Sequence, residues 1–553
     1  MKKSLLPVAL AALFALPAHA SEAETLDTLR QTTLNLIDAL VDTGVLTREK
    51  ADALVKAAEA KTAKAVARAK KDTTVRVQYV PESVKAEIRD QLKQEVLAQA
   101  RSEGWATPNA IPEWTERIKI EGDIRVRYQD DRLGDDNTTT LGLTGLHPGA
   151  TGAVQDYPFV TRNPGGAEVD SNGVPVNNLE DDVNRLRVRA RLGVLAKIND
   201  SVSAGLRVAT GNREDRVSTN QTLGNNFNKY NFLVDRAYIK LDPVEWFSAS
   251  GGRIPNPWFN TDLVWDEDLN FEGVAATLRD VRPSSTLRPF ATAGWFPLRA
   301  DSPPSADKRW LAGVQLGADY DLNSQTRLRF GLAKFRYGNL EGRVQSFNPN
   351  TLLPDADYGR YAYENGFRAK GNTVFKTNDP VNDTSDSEPN WGLASKFEPW
   401  VLTVAADLAH YDPVHVMFTA EYVKNTGFDR ADILRRTGLA LTDGDDTAYH
   451  VRLQVGMPLV RLANDWQAFA SYKYIGSDAV LDAFTDSDFG LGGTNLKGFV
   501  IGGSYGLYRD TALGLRWYSA QNIDSMTYLT QNASITGQRF KVDTLMVDMN
   551  VRF

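Results

Sequence analysis

The segment Ile118-Lys-Ile-Glu-Gly-Asp-Ile-Arg-Val-Arg-Tyr128 constrains the fold more tightly than any other part of the chain. Ile118, Ile120, Ile124, Val126 and Tyr128 share one face of an extended chain; Lys119, Glu121, Asp123, Arg125 and Arg127 share the other. Side chains alternate across a strand, so period-two patterning this strict marks a strand with one dry and one wet face. The pattern recurs over 182–198, 202–212, 231–241, 247–253, 271–279, 287–296, 310–321, 326–337, 393–410, 414–425, 447–457, 465–474, 497–508, 511–520 and 538–553, giving sixteen strands with the first at 116–130. Short connections such as Asn199-Asp200, Asn323-Ser324, Asp412-Pro413 and Arg509-Asp510 use turn residues. They alternate with long ones near 131–181, 213–230, 254–270, 297–309, 338–392, 426–446, 475–496 and 521–537, rich in Asp, Asn, Gly and Pro. A soluble sandwich would not sort its connections by length, nor leave so many apolar faces uncovered. The expected fold is an all-β transmembrane barrel of 16 antiparallel up-and-down strands, with short periplasmic turns and long outer loops.

Composition removes the competing classes. The chain has 553 residues and an apolar fraction of 42%, and no stretch after the N-terminus offers about 18 apolar residues in a row, so no spanning helix is expected. With no Cys there is no disulfide scaffold, Cys-zinc site or thiol catalysis. A net charge of −7 argues against nucleic acid as a partner. Lys2 and Lys3 precede the apolar run Leu5–Leu16, and Ala18-His19-Ala20 reads as a cleavage site. Residues 1–20 are therefore expected to be a secretory signal peptide, with a retained anchor as the alternative.

Residues 21–104 lack the glycine and aromatic content of the rest. Leu26, Leu29, Thr33, Leu36 and Leu40 keep the spacing of a helical seam, and Val84, Ile88, Leu92 and Val96 mark a later stripe. These read as a periplasmic α-helical extension, either a self-associating coiled coil or a hairpin resting on the barrel. Residues 105–115 read as a linker. The last strand ends in an aromatic: Leu545, Val547, Met549, Val551 and Phe553 face one way, Thr544, Met546, Asp548, Asn550 and Arg552 the other. Tyr411, Trp466, Tyr472, Tyr474 and Trp517 are candidates for interfacial girdles.

Gly104-Trp-Ala-Thr-Pro-Asn-Ala-Ile-Pro-Glu-Trp-Thr-Glu-Arg-Ile-Lys-Ile-Glu-Gly-Asp-Ile-Arg-Val-Arg-Tyr128 resembles the opening of the Putative porin family of Gram-negative bacteria. Gly252-Arg-Ile-Pro-Asn-Pro-Trp-Phe-Asn-Thr-Asp-Leu-Val-Trp-Asp-Glu-Asp-Leu-Asn-Phe-Glu-Gly273 resembles a second block of that family. The resemblance implies a 16-stranded porin in the outer membrane, a homotrimer by analogy, passing small hydrophilic solutes or ions without a cofactor.

If the apolar faces meet lipid, the opposite positions line the pore. Arg185, Arg187, Arg189 and Arg191 alternate with apolar residues on the second strand, and Lys119, Arg125, Arg127, Arg207, Arg236 and Arg452 point inward by the same test. Arginine on the lipid face would cost about 2–4 kcal/mol near the midplane, which fixes the register. The alternative is that these arginines pair with carboxylates and only stiffen the wall. The third outer loop carries Asp262, Asp266, Glu267 and Asp268 beside Trp258, Phe259 and Trp265. In general diffusion porins this loop enters the lumen, so it is expected to form a constriction, the alternative being an exposed acidic loop. Acids facing an arginine ladder would set a transverse field, and the dense ladder predicts a weak anion preference.

An enzyme is disfavoured: no nucleophile elbow or metal-protease motif appears, and His410 and His415 beside a turn are weak metal ligands. A second alternative is a barrel-anchored tether whose helices contact peptidoglycan or another periplasmic partner. Loss of trimers or wall attachment with conductance retained, on deleting 21–104, would mark the helices as that module. A substrate-specific porin is a third, with Tyr358, Tyr361, Tyr363 and Phe367 as a sugar track.

Overall fold

The computed structural model describes residues 117–137, 181–213, 215–280, 286–300, 308–345, 361–363, 367–377, 391–524 and 539–553, with short paired segments at 168–169, 175–176, 347–348, 353–354 and 528–529. The expected signal peptide, helical extension and linker lie outside the described residues.

Sixteen long strands form the wall: β1 (Ile118–Leu133), β2 (Val183–Lys197), β3 (Val202–Ala209), β4 (Leu233–Val244), β5 (Phe247–Ile254), β6 (Phe271–Arg279), β7 (Leu287–Arg299) and β8 (Arg309–Asn323) make the first half. The second half is β9 (Thr326–Gly338), β10 (Pro399–Tyr411), β11 (Val414–Asn425), β12 (Thr447–Gly456), β13 (Trp466–Ile475), β14 (Leu496–Tyr508), β15 (Thr511–Asn522) and β16 (Lys541–Arg552). Each pairs antiparallel with the next, and β1 pairs with β16 from Asp123↔Arg552 to Leu133↔Val542. The barrel is closed, which leaves no sheet edge unpaired. Gly122 and Phe553 exchange backbone hydrogen bonds at 2.9 and 3.0 Å, so the C-terminal aromatic completes the seam.

Alternation sets the faces. Ile120, Leu192, Val274, Trp295, Leu316 and Leu515 project outward, whereas Arg127, Gln315, Thr403, Lys473 and Asp548 are buried inside. This is the inverse of a soluble protein, as a lipid-facing wall requires. The strand ends agree with the sequence reading to within three residues, except that β10 begins at Pro399 rather than 393. Its forerunner Trp391–Leu393 leaves the wall to pair with Val374–Lys376, a match that buries Trp391 and Leu393.

Three local features depart from plain alternation. β4 bulges: Arg207 faces Arg236 and Val208 faces Val234, so Asp235 is the extra residue and lies inward beside Arg236. Gly252 and Gly273 are cross-strand partners with φ of 118° and 143°, and a Cβ at either would come within 2.4 or 2.3 Å of a neighbouring carbonyl oxygen. They bracket the third outer loop, where the backbone must bend too sharply for a side chain. The sixth outer loop holds a helix, α1 (Arg430–Thr437), that the sequence reading treated as irregular. Asp429 caps its first turn and Gly438 ends it in the left-handed conformation. Of the expected girdle aromatics, Tyr411 and Trp466 sit at short-turn ends and Tyr472 and Tyr474 at long-loop ends; Trp517 lies mid-strand against Phe499.

Candidate functional site

The third outer loop, residues 255–270, leaves β5, crosses the interior and returns to β6. Three kinds of contact hold it. Trp258 meets Phe335 edge-on at 5.0 Å, and Trp265 packs on Phe335, Phe271 and Phe484 at 5.0–5.6 Å. Gln315 on β8 clamps the Phe259 backbone, accepting from its N–H at 2.8 Å and donating to its carbonyl at 2.7 Å. On the far wall, the Glu421 carboxylate accepts from Thr261 N–H and Oγ1, both at 2.9 Å, and from Thr403 at 2.7 Å. A loop this aromatic would expose a large apolar area if it stood in water.

Its acids go to different places. Asp262 meets Lys473 Nζ at 2.8 Å, with His450 Nδ1 at 3.5 Å. Burial alone would raise its pKa, but Lys473 and His450 hold the carboxyl below the usual range. Asp266 accepts from the backbone N–H groups of Asp268 at 2.7 Å and Ser487 at 2.8 Å; burial, Asp268 and Asp486 push its pKa well up. Asp268 faces the ladder, 3.0 Å from Arg191 and 3.8 Å from Arg189. Glu267 is exposed to the interior space.

The seventh outer loop also lies inside, which the sequence reading did not anticipate. Residues 477–485 are wholly buried. Asp478 accepts from Thr373 N–H and Oγ1, Asp482 from Tyr363 OH, and Asp486 meets Lys473 at 2.6 Å. Asp488 pairs with Arg127 at 2.9 Å. From the fifth loop, Lys370 donates to Gly490 O at 2.5 Å and Asn372 to Ser477 O and Val480 O. Loops three, five and seven thus form one packed body within the barrel.

The ladder residues divide by partner. Arg127 chelates Asp548 at 2.6 Å; Arg185 pairs with Asp131, Arg207 with Asp235, and Arg189 and Arg191 share Asp123. Among the described residues, Arg125, Arg187, Arg236 and Arg452 make no ion pair with a carboxylate. Their partners are Asn220, Gln129, Asn270 and Gln454, and Arg452 lies on the Phe469 ring at 3.8 Å. Lys119 is exposed at the short-turn end beside Glu121.

Where the loops meet the wall there is a cavity of about 70 Å³, lined by Arg125, Asp262, Glu267, His450, Lys473 and Asp488 among others. On its short-turn side opens a vestibule of about 870 Å³ lined by ten Lys and Arg against five Asp and Glu. Toward the long loops is another space of about 740 Å³, lined by five Arg against three acids. The narrow waist of mixed charge and the basic vestibule share Arg125, Arg189, Glu267, Asp268, Arg452, Phe469 and Arg516, whereas the space toward the long loops is walled by Trp265, Phe367 and Phe484.

Residues 30–553 match the family model described as Putative porin. The chain belongs to the Putative porin family. It is an outer-membrane porin. No curated protein matches it in sequence. Solved structures similar to it include Pseudomonas putida OprB (8% identity, 79% of this chain and 95% of that chain covered, TM-score 0.41). Salmonella typhi OmpF in complex with daunomycin is 10% identical, with 79% and 97% covered and a TM-score of 0.35. An anion-selective porin from Comamonas acidovorans is 10% identical, with 79% and 99% covered and a TM-score of 0.35.

Sequence reasoning about this porin missed Glu421, His450, Lys473 and Arg516 as interior groups. The signal for Lys473 was present, since it alternates with the outward Tyr472 and Tyr474. Tyr363 is fully buried and packs on Phe367, which also lines the space toward the long loops; Tyr361 stacks under Arg343, and Tyr358 lies outside the described residues. His415 Nδ1 meets Asp407 at 2.6 Å, and no metal-ligand cluster occurs among the described residues.

Proposed function

We propose that this porin passes small hydrophilic solutes through a water-filled channel with a weak preference for anions. The observation that carries the reading is the charge of the short-turn vestibule, ten cationic side chains against five acidic ones. In a confined space with low-dielectric walls, such an excess raises the local anion concentration. Two classes of wall charge contribute. Arg127, Arg185, Arg189, Arg191 and Arg207, and Lys119 beside Glu121, are largely neutralised by their carboxylates, while Arg125, Arg187, Arg236 and Arg452 supply most of the net field. The loop acids Asp262, Asp266, Glu267 and Asp268 offset it at the waist, and this keeps the preference weak.

Reversal potentials in a KCl gradient across planar bilayers test the reading. An anion-selective sign is expected at neutral pH, reduced in Arg187→Gln/Arg236→Gln. A clear cation preference in the wild type overturns it.

The homotrimer expected by family analogy is proposed to form through the outer face of β5–β8. Small side chains there, Ala249, Gly251, Ala276, Ala293 and Ala312, leave a groove of about 950 Å³ in the lipid-facing belt.

A further inference from the structure

Four guanidinium groups, Arg125, Arg189, Arg452 and Arg516, line both the narrow waist and the short-turn vestibule, so they stand where one opens into the other. Glu267 and Asp268 are the carboxylates at the same junction. Most of this charge is already engaged. Asp268 is held by Arg191 at 3.0 Å and by Thr219 Oγ1 at 3.1 Å. Arg189 is 2.9 Å from Asp123, and Arg516 is 2.7 Å from Asp548.

Arg125 and Arg452 are left over. Arg125 is only 7% exposed, donates from Nη2 to the neutral Asn220, and its Nε has no partner among the described residues. Its like-charged neighbours are Arg127, Arg189 and Arg516, and the carboxylates near it, Asp548, Asp268 and Asp488, are each already bound by another arginine. Arg452 is held flat by Phe469 with one hydrogen bond to Gln454. A guanidinium carries five donors in a fixed fork, and a buried one with donors unmet and no carboxylate in direct contact is costly. The adjoining polar cavity has room for a handful of waters. Water satisfies the donors but does not neutralise the charge, whereas an oxyanion does both. The fork geometry matches a carboxylate or phosphate better than a spherical halide.

We infer that the junction of waist and vestibule is a binding subsite for the head group of a small oxyanion, a carboxylate or phosphate, with Arg125 and Arg452 as its principal ligands. The inference rests on the anion-preferring reading and names the solute class. Glu267, exposed at the same junction, keeps binding weak by repulsion, and a pore needs occupancy weak enough to release. Phe469 holds Arg452 in the orientation that faces the solute.

Single channels in planar bilayers separate the outcomes. In the wild type, conductance in sodium phosphate and in sodium succinate is expected to saturate at millimolar concentration, and millimolar additions of either should reduce the chloride current at least twofold. Arg125→Gln/Arg452→Gln is expected to weaken that block about tenfold, the block being taken as a fraction of the variant's own chloride current, which itself falls with the loss of two cations from the pore field. If the double variant does not assemble, Arg452→Gln alone is expected to weaken the block severalfold. Block by phosphate but not succinate, or the reverse, assigns the head group within the class. Phosphate and succinate conductances that rise linearly, with no block of chloride, overturn the subsite even when reversal potentials remain anion-selective. A cation-selective reversal potential overturns the underlying reading as well.

Discussion

At the residue scale, the arginines of the wall are not one population. Arg127 is 1% exposed and bound by two carboxylates, one of them 421 residues away in sequence. Removing one partner of such a pair leaves a buried charge uncompensated, which costs about 3–5 kcal/mol. Arg127→Gln is therefore expected to lower the midpoint of urea unfolding in detergent markedly. Arg452→Gln loses a neutral hydrogen bond and a cation–π contact worth about 0.5–2 kcal/mol, so it should unfold near the wild-type midpoint yet shift the reversal potential. Equal losses of stability in the two variants would contradict this division. Alternation alone placed both side chains inside, because the sign of a strand position follows from its neighbours. It gave no access to their partners, since Asp548 and Asp488 reach Arg127 only through barrel closure and the path of loop seven.

At the element scale, the strands were legible and, of the inward loops, only the third was. A strand records its two environments in every second residue, and a one-residue slip would put arginine in lipid. Loop three could be read because Trp258, Phe259 and Trp265 are too apolar for an outer loop. Loop seven carries the same kind of signal in Ala479-Val-Leu481, Ala483-Phe484, Phe489 and Leu491, all buried, but its glycines and aspartates resemble ordinary loop composition. Trp265 joins the two loops through Phe484, so Trp265→Ala should remove about 3–5 kcal/mol of packing. The expected result is a larger, noisier single-channel conductance with strand content unchanged by circular dichroism.

The docked loops also carry a pH dependence. Burial pushes the Asp478 carboxyl up to about 6, and burial against the pull of Lys473 raises Asp486 to about 6. A group whose docked pKa exceeds its free value binds its proton more tightly when docked. Its contribution is complete below the free value of about 4 and is lost as pH rises through about 6. Asp266, raised further by burial, Asp268 and Asp486, acts in the same sense. Asp262 and Asp488, held low by Lys473 and by Arg127 respectively against the effect of burial, lose their contribution only below that window. Loop seven should thus dock more firmly at pH 5 than at pH 7.5, and conductance should be lower at pH 5. Asp478→Asn should weaken that dependence; a wild-type conductance that rises on acidification would count against the assignment.

At the scale of the whole molecule, the wall is uneven in height. β1 and β8 have 16 and 15 residues, whereas β3 and β5 have 8 and β6 has 9. A tilted strand needs about 9–11 residues to cross the hydrocarbon core, so β3, β5 and β6 barely cover it although β4 between them has 12 residues, and a wall short of the bilayer thickness carries a mismatch cost. The groove of small side chains borders this low side, with Val274, Trp295 and Val314 half exposed around it. A second copy seated there would replace lipid over the shortest strands and fill the groove with bulkier side chains, so mismatch relief and close packing favour the same face. Large residues in the groove should block that fit without touching the interior. Ala276→Trp/Ala293→Trp is expected to run as a monomer in native mass spectrometry from detergent, where the wild type runs as a trimer, and to retain the single-channel conductance of one barrel. A wild type that is monomeric at all detergent concentrations, or a double variant that remains trimeric, would remove the low wall from the assembly and leave its short strands to be accommodated by a thinned bilayer.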